Sequence, residues 1–279
     1  MDGKPESAAL PLLDFYVEAG VDCALDEAPH DRFAEDQAEP AHARSAPPAP
    51  RPPEPSRRLI PDSPPPARPA AKAAAASPDA ATRAARDQVK EARTLEELEA
   101  LLASFEGCSL RATAKSLVFA DGDPQGRVML VGEAPGADED RIGKPFMGRS
   151  GQLLDKMLAA IGLDRTQVYV ANVVPWRPPG NRTPTPQEIA ICKPFIEKQV
   201  ALADPDVLVC LGGPATQTLL GVKDGILRTR GRWFPYRTEK REIQALATLH
   251  PAYLLRQPLQ KRLAWRDFRA LRRTLDGAA

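Results

Sequence analysis

The apolar run Val128-Met129-Leu130-Val131 ends in Gly132-Glu133-Ala134-Pro135-Gly136-Ala137-Asp138-Glu139-Asp140, and helical spacing resumes over Gly151–Leu158. Consecutive apolar residues without alternation suit a strand buried on both faces, as in a parallel sheet. Strands are predicted at Arg127–Val131, Val168–Val173, Val207–Leu211 and Ala245–Leu249. Helical segments fall between them at Gly151–Ile161, Pro186–Ala203 and Ala215–Leu220, with a last one near Leu259–Leu275. Thr185 is placed to cap the second of these, with Pro186 at its first position and Glu188 shortly after. Strand–helix alternation with short connections predicts an α/β fold: three α-β-α layers around a central four-stranded parallel sheet.

The chain divides by composition. Residues 8–20 have amphipathic spacing, with Leu10, Leu13, Tyr16 and Val17 on one face, so 1–35 reads as a short helical segment. Residues 36–80 hold much of the chain's complement of 30 prolines and are rich in alanine. Such a stretch buries too little apolar surface to fold, and reads as a disordered linker. The folded domain is expected over 81–279. It opens with a helical pattern over Ala81–Phe105, in which Leu95, Leu98, Leu101 and Leu102 form a stripe and Thr94 with Glu97 forms a capping box.

Net charge is only +1, but it is unevenly placed: residues 1–40 lean acidic and the region from Arg228 onward is rich in arginine. That asymmetry points to a polyanion partner on one face, against the plainer reading of a solvated helix surface. Four scattered cysteines, Cys23, Cys108, Cys192 and Cys210, do not form a disulfide framework. The first residues lack a basic start with an apolar core, and no apolar run reaches membrane-spanning length. The expectation is a soluble monomer of a reducing cytoplasm, without a membrane partner.

Four strand ends carry distinctive groups: Glu133 with its loop, Asn172, Gly212-Gly213 and His250. A parallel sheet places all four on one edge, where open α/β sheets bind ligands. The Asn172 amide offers an acceptor beside a donor, complementary to a pyrimidine edge. Phe146 offers a stacking face, and His250 a hydrogen bond to a carbonyl or a developing anion. Taken singly, each has an ordinary reading as a turn cap, a core ring or a structural histidine. Their joint placement is what suggests a site. Arg177-Pro178-Pro179-Gly180-Asn181-Arg182 is a rigid basic loop on the same edge, suited to phosphates. Leu254, Leu255 and Arg256 set an apolar pair beside a cation, suited to wedging a base stack, although a leucine there also suits a core-facing helix.

These residues resemble the type 4 uracil-DNA glycosylases of the uracil-DNA glycosylase superfamily. The matching segments are Gly132–Gly136 with Glu139-Asp140, Gly143–Leu154, Asn172-Val173-Val174, Arg177–Arg182, Gly231–Phe234 and His250–Arg256. The resemblance covers about residues 105–275 in unbroken order. It implies excision of uracil from DNA, with uracil-containing DNA as partner. It also implies that Asn172 reads the uracil edge and Phe146 stacks on the ring. Glu133 and Ala134 would line the pocket, Glu139 would exclude the thymine methyl, and His250 would contact uracil O2. Cytosine presents the reverse hydrogen-bond pattern and would leave buried groups unpaired. The water-activating group stays open between Glu133, Asp138 and purely electrostatic stabilisation. An aspartate that follows the Glu133 position in the superfamily's best-known branch is Ala134 here.

The same resemblance implies a 4Fe-4S cluster on four cysteines. Cys108 and Cys192 match two of the positions, while Phe105 and Trp176 stand at the other two. Neither side chain can ligate iron. No cluster is therefore expected, with Phe105 and Trp176 filling its place by apolar packing and no other cofactor implied. Two further readings are a uracil-DNA binding or trapping protein and a small-molecule nucleoside hydrolase. Residues 1–35 also read as a tethered docking segment for a protein partner. The setting that follows is a bacterial cytoplasm, in association with the nucleoid.

Overall fold

The computed structural model of the chain describes residues 78–277. The amphipathic segment in 1–35 and nearly all of the Pro/Ala-rich stretch lie outside the described residues, as does Cys23. Helix α1 (Pro78–Gln88) begins just inside the stretch read as linker. A turn separates it from α2 (Leu95–Ser104), so the helical pattern over Ala81–Phe105 is two helices rather than one. The break falls where the α2 capping box forms: Glu97 N–H donates to Thr94 Oγ1 at 3.2 Å, and Thr94 N–H donates back to Glu97 Oε2 at 3.3 Å.

The sheet has six strands: β1 (Ala120–Gly122), β2 (Val128–Gly132), β3 (Val168–Asn172), β4 (Val207–Leu211), β5 (Trp233–Arg237) and β6 (Glu242–Thr248), in the order β1-β3-β2-β4-β6-β5. The four expected strands are β2, β3, β4 and β6, all parallel. Antiparallel β1 and β5 flank them as edges. Both were hidden for physical reasons. β1 is three residues of Ala-Asp-Gly, and β5 contains Pro235, which a strand tolerates only at an edge. β6 also starts earlier than expected, because Glu242-Ile243-Gln244 alternates where it pairs with the half-exposed β5.

Alternate residues of the buried strands feed two cores. Met129, Val131, Tyr169, Ala171, Leu208 and Cys210 face a layer that includes α1, α2 and α5 (Pro186–Ala203). Val128, Leu130, Val170, Val209, Leu211 and Leu246 face Leu154 and Leu158 of one helix and Phe268 and Leu271 of another. Between β2 and β3 lie α3 (Ala137–Ile142) and α4 (Arg149–Ala159). Further on come α6 (Gly213–Leu220), α7 (Ile226–Thr229), α8 (Pro251–Arg256) and α9 (Lys261–Leu275). No helix among the described residues is long and apolar enough to cross a membrane.

The middle of α9 is pinned to the end of β6 through a buried polar knot at Asp267. Thr248 Oγ1 donates to Asp267 Oδ2 at 2.7 Å, and the Arg230 guanidinium pairs with the same carboxylate. Burying Asp267 is tolerable because its charge is paired and hydrogen-bonded.

Phe268 is 1% exposed and fills the α9 side of the sheet. Phe268→Ala is expected to destabilise the protein by about 3–5 kcal/mol, the cost of a large cavity in a close-packed core. Urea unfolding against wild type checks this.

Candidate active site

Strand register assembles the site. Gly132 ends β2 directly beside Asn172 at the end of β3, and Leu211 ends β4 beside Thr248 at the end of β6. The segments that leave these ends bound one cleft of about 560 Å³, lined among others by Glu133, Phe146, Asn172, Gly212, His250 and Arg256.

Phe146 sits on the loop after α3 with φ 56°, a left-handed conformation that costs a non-glycine residue about 1–2 kcal/mol. Its ring reaches over the end of β2. A Cβ at Gly132 would meet Phe146 Cζ at 2.6 Å and Asn172 Oδ1 at 2.5 Å. Only glycine lets the aromatic face and the amide meet there. Asn172 is 5% exposed, and its amide has no hydrogen-bond partner among the described residues. The amide atoms open into the cleft, where water meets them until a ligand with complementary groups replaces it.

Glu139 lines the same cleft, but its carboxylate is committed to backbone. Oε1 accepts from Met147 N at 2.8 Å and Gly148 N at 2.9 Å, and Oε2 accepts from Gly136 N at 3.0 Å. It ties the α3 turn to the Phe146 loop. Ala134 also lines the cleft.

His250 caps α8: Ala252 N–H donates to its Nδ1 at 3.1 Å. Nδ1 must therefore carry a lone pair, which puts the proton of the neutral ring on Nε2. Burial, reinforced by the Arg256 charge and opposed by Glu139, lowers the His250 pKa to about 4. The ring is thus a neutral N–H donor at physiological pH. It lies 5.4 Å from the Phe146 ring, centroid to centroid, inclined at 29°. Stacking a planar ligand between the two rings needs about 7 Å, twice a carbon contact distance. The gap between the two rings is therefore too narrow for a planar ligand to lie sandwiched in it.

Glu133 is half-buried at the cleft wall, and burial raises its pKa, partly offset by a hydrogen bond with Thr183. Asp138, the other acid considered for water activation, is exposed, pairs with Arg141 at 3.4 Å and is absent from the cleft lining.

The residues expected to touch DNA divide. Leu254 is fully buried against Leu249 and Ala264, so the wedge role read for it is corrected: α8 turns it into the core. Leu255 is half-buried and Arg256 is exposed at the end of the same helix. Arg182 is exposed but forks onto Glu188, with Nη1 to Oε2 at 2.8 Å and Nη2 to Oε1 at 2.7 Å. Arg177 Nε donates to Asn181 Oδ1 at 2.7 Å. These two cations brace their own loop. Thr183 and Tyr253 also line the cleft and were not read as site residues from the sequence. Tyr253 lay within the matching segment His250–Arg256, whereas Thr183 carried no signal.

Away from the cleft, Phe105 and Trp176 are buried in the core, with Phe105 packed on Phe195 at 5.1 Å between ring centroids. Cys108 and Cys192 touch, with their Sγ atoms 3.9 Å apart. The neighbouring Cys108 thiol, together with burial, pushes Cys192 well above the ordinary thiol range. Among the described residues no group of three or more His, Cys, Asp or Glu side chains is placed to hold a metal. Two thiols, with Phe105 and Trp176 at the other two positions that the resemblance implies, do not supply the ligands of a four-thiolate cluster.

The unfolded chain protonates its histidine near pH 6.5, whereas folded His250 does so only near pH 4. Between those values the unfolded state binds more protons, so stability falls as pH drops through that window. His250→Gln is expected to lose less stability than wild type over the same window, as read from urea unfolding at several pH values.

Comparison with known proteins shows the family. The family model described as the uracil DNA glycosylase superfamily matches residues 119–269. The type-4 uracil-DNA glycosylase of Archaeoglobus fulgidus is 36% identical over 182 residues, covering 64% of this chain and 92% of the relative. The type-4 enzyme of Sulfurisphaera tokodaii is 35% identical over 184 residues, covering 64% and 84%. That of Thermotoga maritima is 42% identical over 150 residues, covering 53% and 77%. With this coverage and a cleft built on the matched segments, the chain belongs to the uracil DNA glycosylase superfamily.

Proposed function

We propose that this cleft excises uracil from DNA by hydrolysing the N-glycosidic bond, leaving an abasic site that starts base-excision repair. The observation that carries the reading is the unpaired Asn172 amide, held against Phe146 beside a neutral His250 N–H. Uracil presents O4 as acceptor and N3–H as donor, which match the two halves of that amide. Its ring stacks on Phe146.

As the C1′–N1 bond breaks, its electron pair goes to the departing uracil and positive charge develops on the sugar. The charge on uracil is shared with O2, where the His250 Nε2–H donates. That hydrogen bond strengthens along the reaction and so acts on the transition state. Water adds to C1′, and its proton passes to the Glu133 carboxylate, whose raised pKa suits a base. Glu139 excludes the thymine methyl by holding the Phe146 loop rigid, not by its own charge. Among the described residues no lysine lines the cleft to offer a Schiff-base amine, which supports a monofunctional glycosylase.

The base enters only when flipped from the stack. Leu255 and Arg256 at the end of α8 occupy the opened duplex and its phosphate, with Arg177 and Arg182 holding the basic loop beside it. The cleft is lined by residues of one chain, and we infer a monomer that works on DNA in the cytoplasm. Residues 1–35 are left to a protein partner. We also infer that apolar packing at Phe105 and Trp176 replaces an iron–sulfur cluster.

Two experiments test these readings. A labelled oligonucleotide with one uracil, treated with enzyme and then alkali, is expected to break at the uracil and not at a matched thymine. Asn172→Ala and His250→Ala should each lower the single-turnover rate by about 100- to 1000-fold. Uracil-dependent binding without product would favour a recognition protein instead. Separately, metal and sulfide analysis of purified protein is expected to show no stoichiometric iron, and a full cluster complement would overturn the apolar replacement.

A further inference from the structure

Among the described residues, one guanidinium outside the cleft grips the backbone that carries the stacking ring. Arg165 lies on the 3-10 turn Arg165–Gln167 just before β3 and is 21% exposed. Its Nη2 donates to Phe146 O at 2.7 Å, and its Nη1 donates to Pro145 O at 3.0 Å. The same group pairs with Asp155 of α4 at 2.9 Å and with Asp121 of β1 at 3.1 Å, while Asp121 also takes Lys144 Nζ at 3.0 Å.

Glu139 holds the same peptide unit from its other end. The Phe146 carbonyl is bound by Arg165, and the Met147 N–H one bond away is bound by Glu139. A peptide is planar, so fixing both its oxygen and its N–H fixes its orientation and the ψ of Phe146. That residue is in the left-handed region and does not settle there unaided. The N-terminal turn of α4 comes close to it, which only glycine permits: a Cβ at Gly151 would lie 1.6 Å from Phe146 O. The carbonyl thus lies in the space left by the missing Cβ of Gly151 and is hydrogen-bonded by Arg165.

We propose that Arg165 is a positioning residue for uracil excision, acting only through Phe146 by orienting the ring on which the base stacks. The proposal rests on the reading of Phe146 as the stacking face. Lysine is a poor substitute, because a single ammonium on a flexible stem does not span two successive carbonyls and two carboxylates as a planar fork does.

The test is a double-mutant cycle in single-turnover excision from a uracil oligonucleotide, with wild type, Arg165→Met, Phe146→Ala and the double variant. Arg165→Met is expected to slow excision by about 10- to 100-fold, the scale of a misplaced binding element. In the Phe146→Ala background the same substitution should cost almost nothing further. Equal fold-losses in both backgrounds would overturn the proposal while leaving the reading of Phe146 intact. A wild-type rate for Phe146→Ala would sink both. Asp155→Ala removes an ion-pair partner of Arg165 but neither carbonyl bond, so it should lower the unfolding midpoint and leave the rate unchanged. If it slows excision as much as Arg165→Met, Arg165 is a general brace and the proposal fails. Should Arg165→Met not fold, Arg165→Lys takes its place in the cycle with the same criteria.

Discussion

The pairing of β2 with β3 is the constraint on which the rest of this protein depends. Its parallel register sets Gly132 beside Asn172. From there the side chains have little choice. The amide rises at the end of β3, the missing Cβ of Gly132 makes room for it, and Phe146 folds into the same space. A one-residue slip would turn every side chain of β3 to the opposite face and bury the amide in a core layer. What prevents the slip is hydrophobic: Val168 and Val170 belong to one core, Tyr169 and Ala171 to the other, and every residue of the strand is buried.

The cleft's electrostatics follow from its burial. His250 would be partly charged at neutral pH if it stood in water. Enclosed by the cleft and close to Arg256, it stays neutral, and the cap on α8 selects which nitrogen keeps the proton. A neutral donor costs little to bury and still meets a developing anion. Burial acts on Glu133 in the opposite chemical sense, favouring its protonated form and making its carboxylate more basic. One physical term thus prepares both a hydrogen-bond donor and a proton acceptor. The Arg230–Asp267–Thr248 knot holds the end of β6 from which His250 departs.

Much of this was legible in the sequence, and for identifiable reasons. Buried parallel strands are unbroken apolar runs, so β2, β3 and β4 could be placed almost to the residue, and the helix caps at Thr94 and Thr185 work through local hydrogen bonds. β1 and β5 were not legible, because a three-residue edge and a strand holding Pro235 resemble loop. Leu254 and Leu255 show the limit more sharply. They are chemically identical neighbours, and only the rotation of α8 decides that one is core and the other half-exposed. Arg165 lay in a stretch without any motif, since its importance comes from two carbonyls about twenty residues away in the chain.

The sequence by itself determined the fold class, the four strand ends that form the site and the family to which the chain belongs. These depend on hydrophobic period and on short motifs, which are local properties of the chain. The tertiary structure decided which nitrogen of His250 carries the proton, that Glu139 serves the backbone, and that Arg182 is tied to Glu188. A side chain's partners depend on what the fold brings within about 3 Å of it. No count along the chain contains that distance.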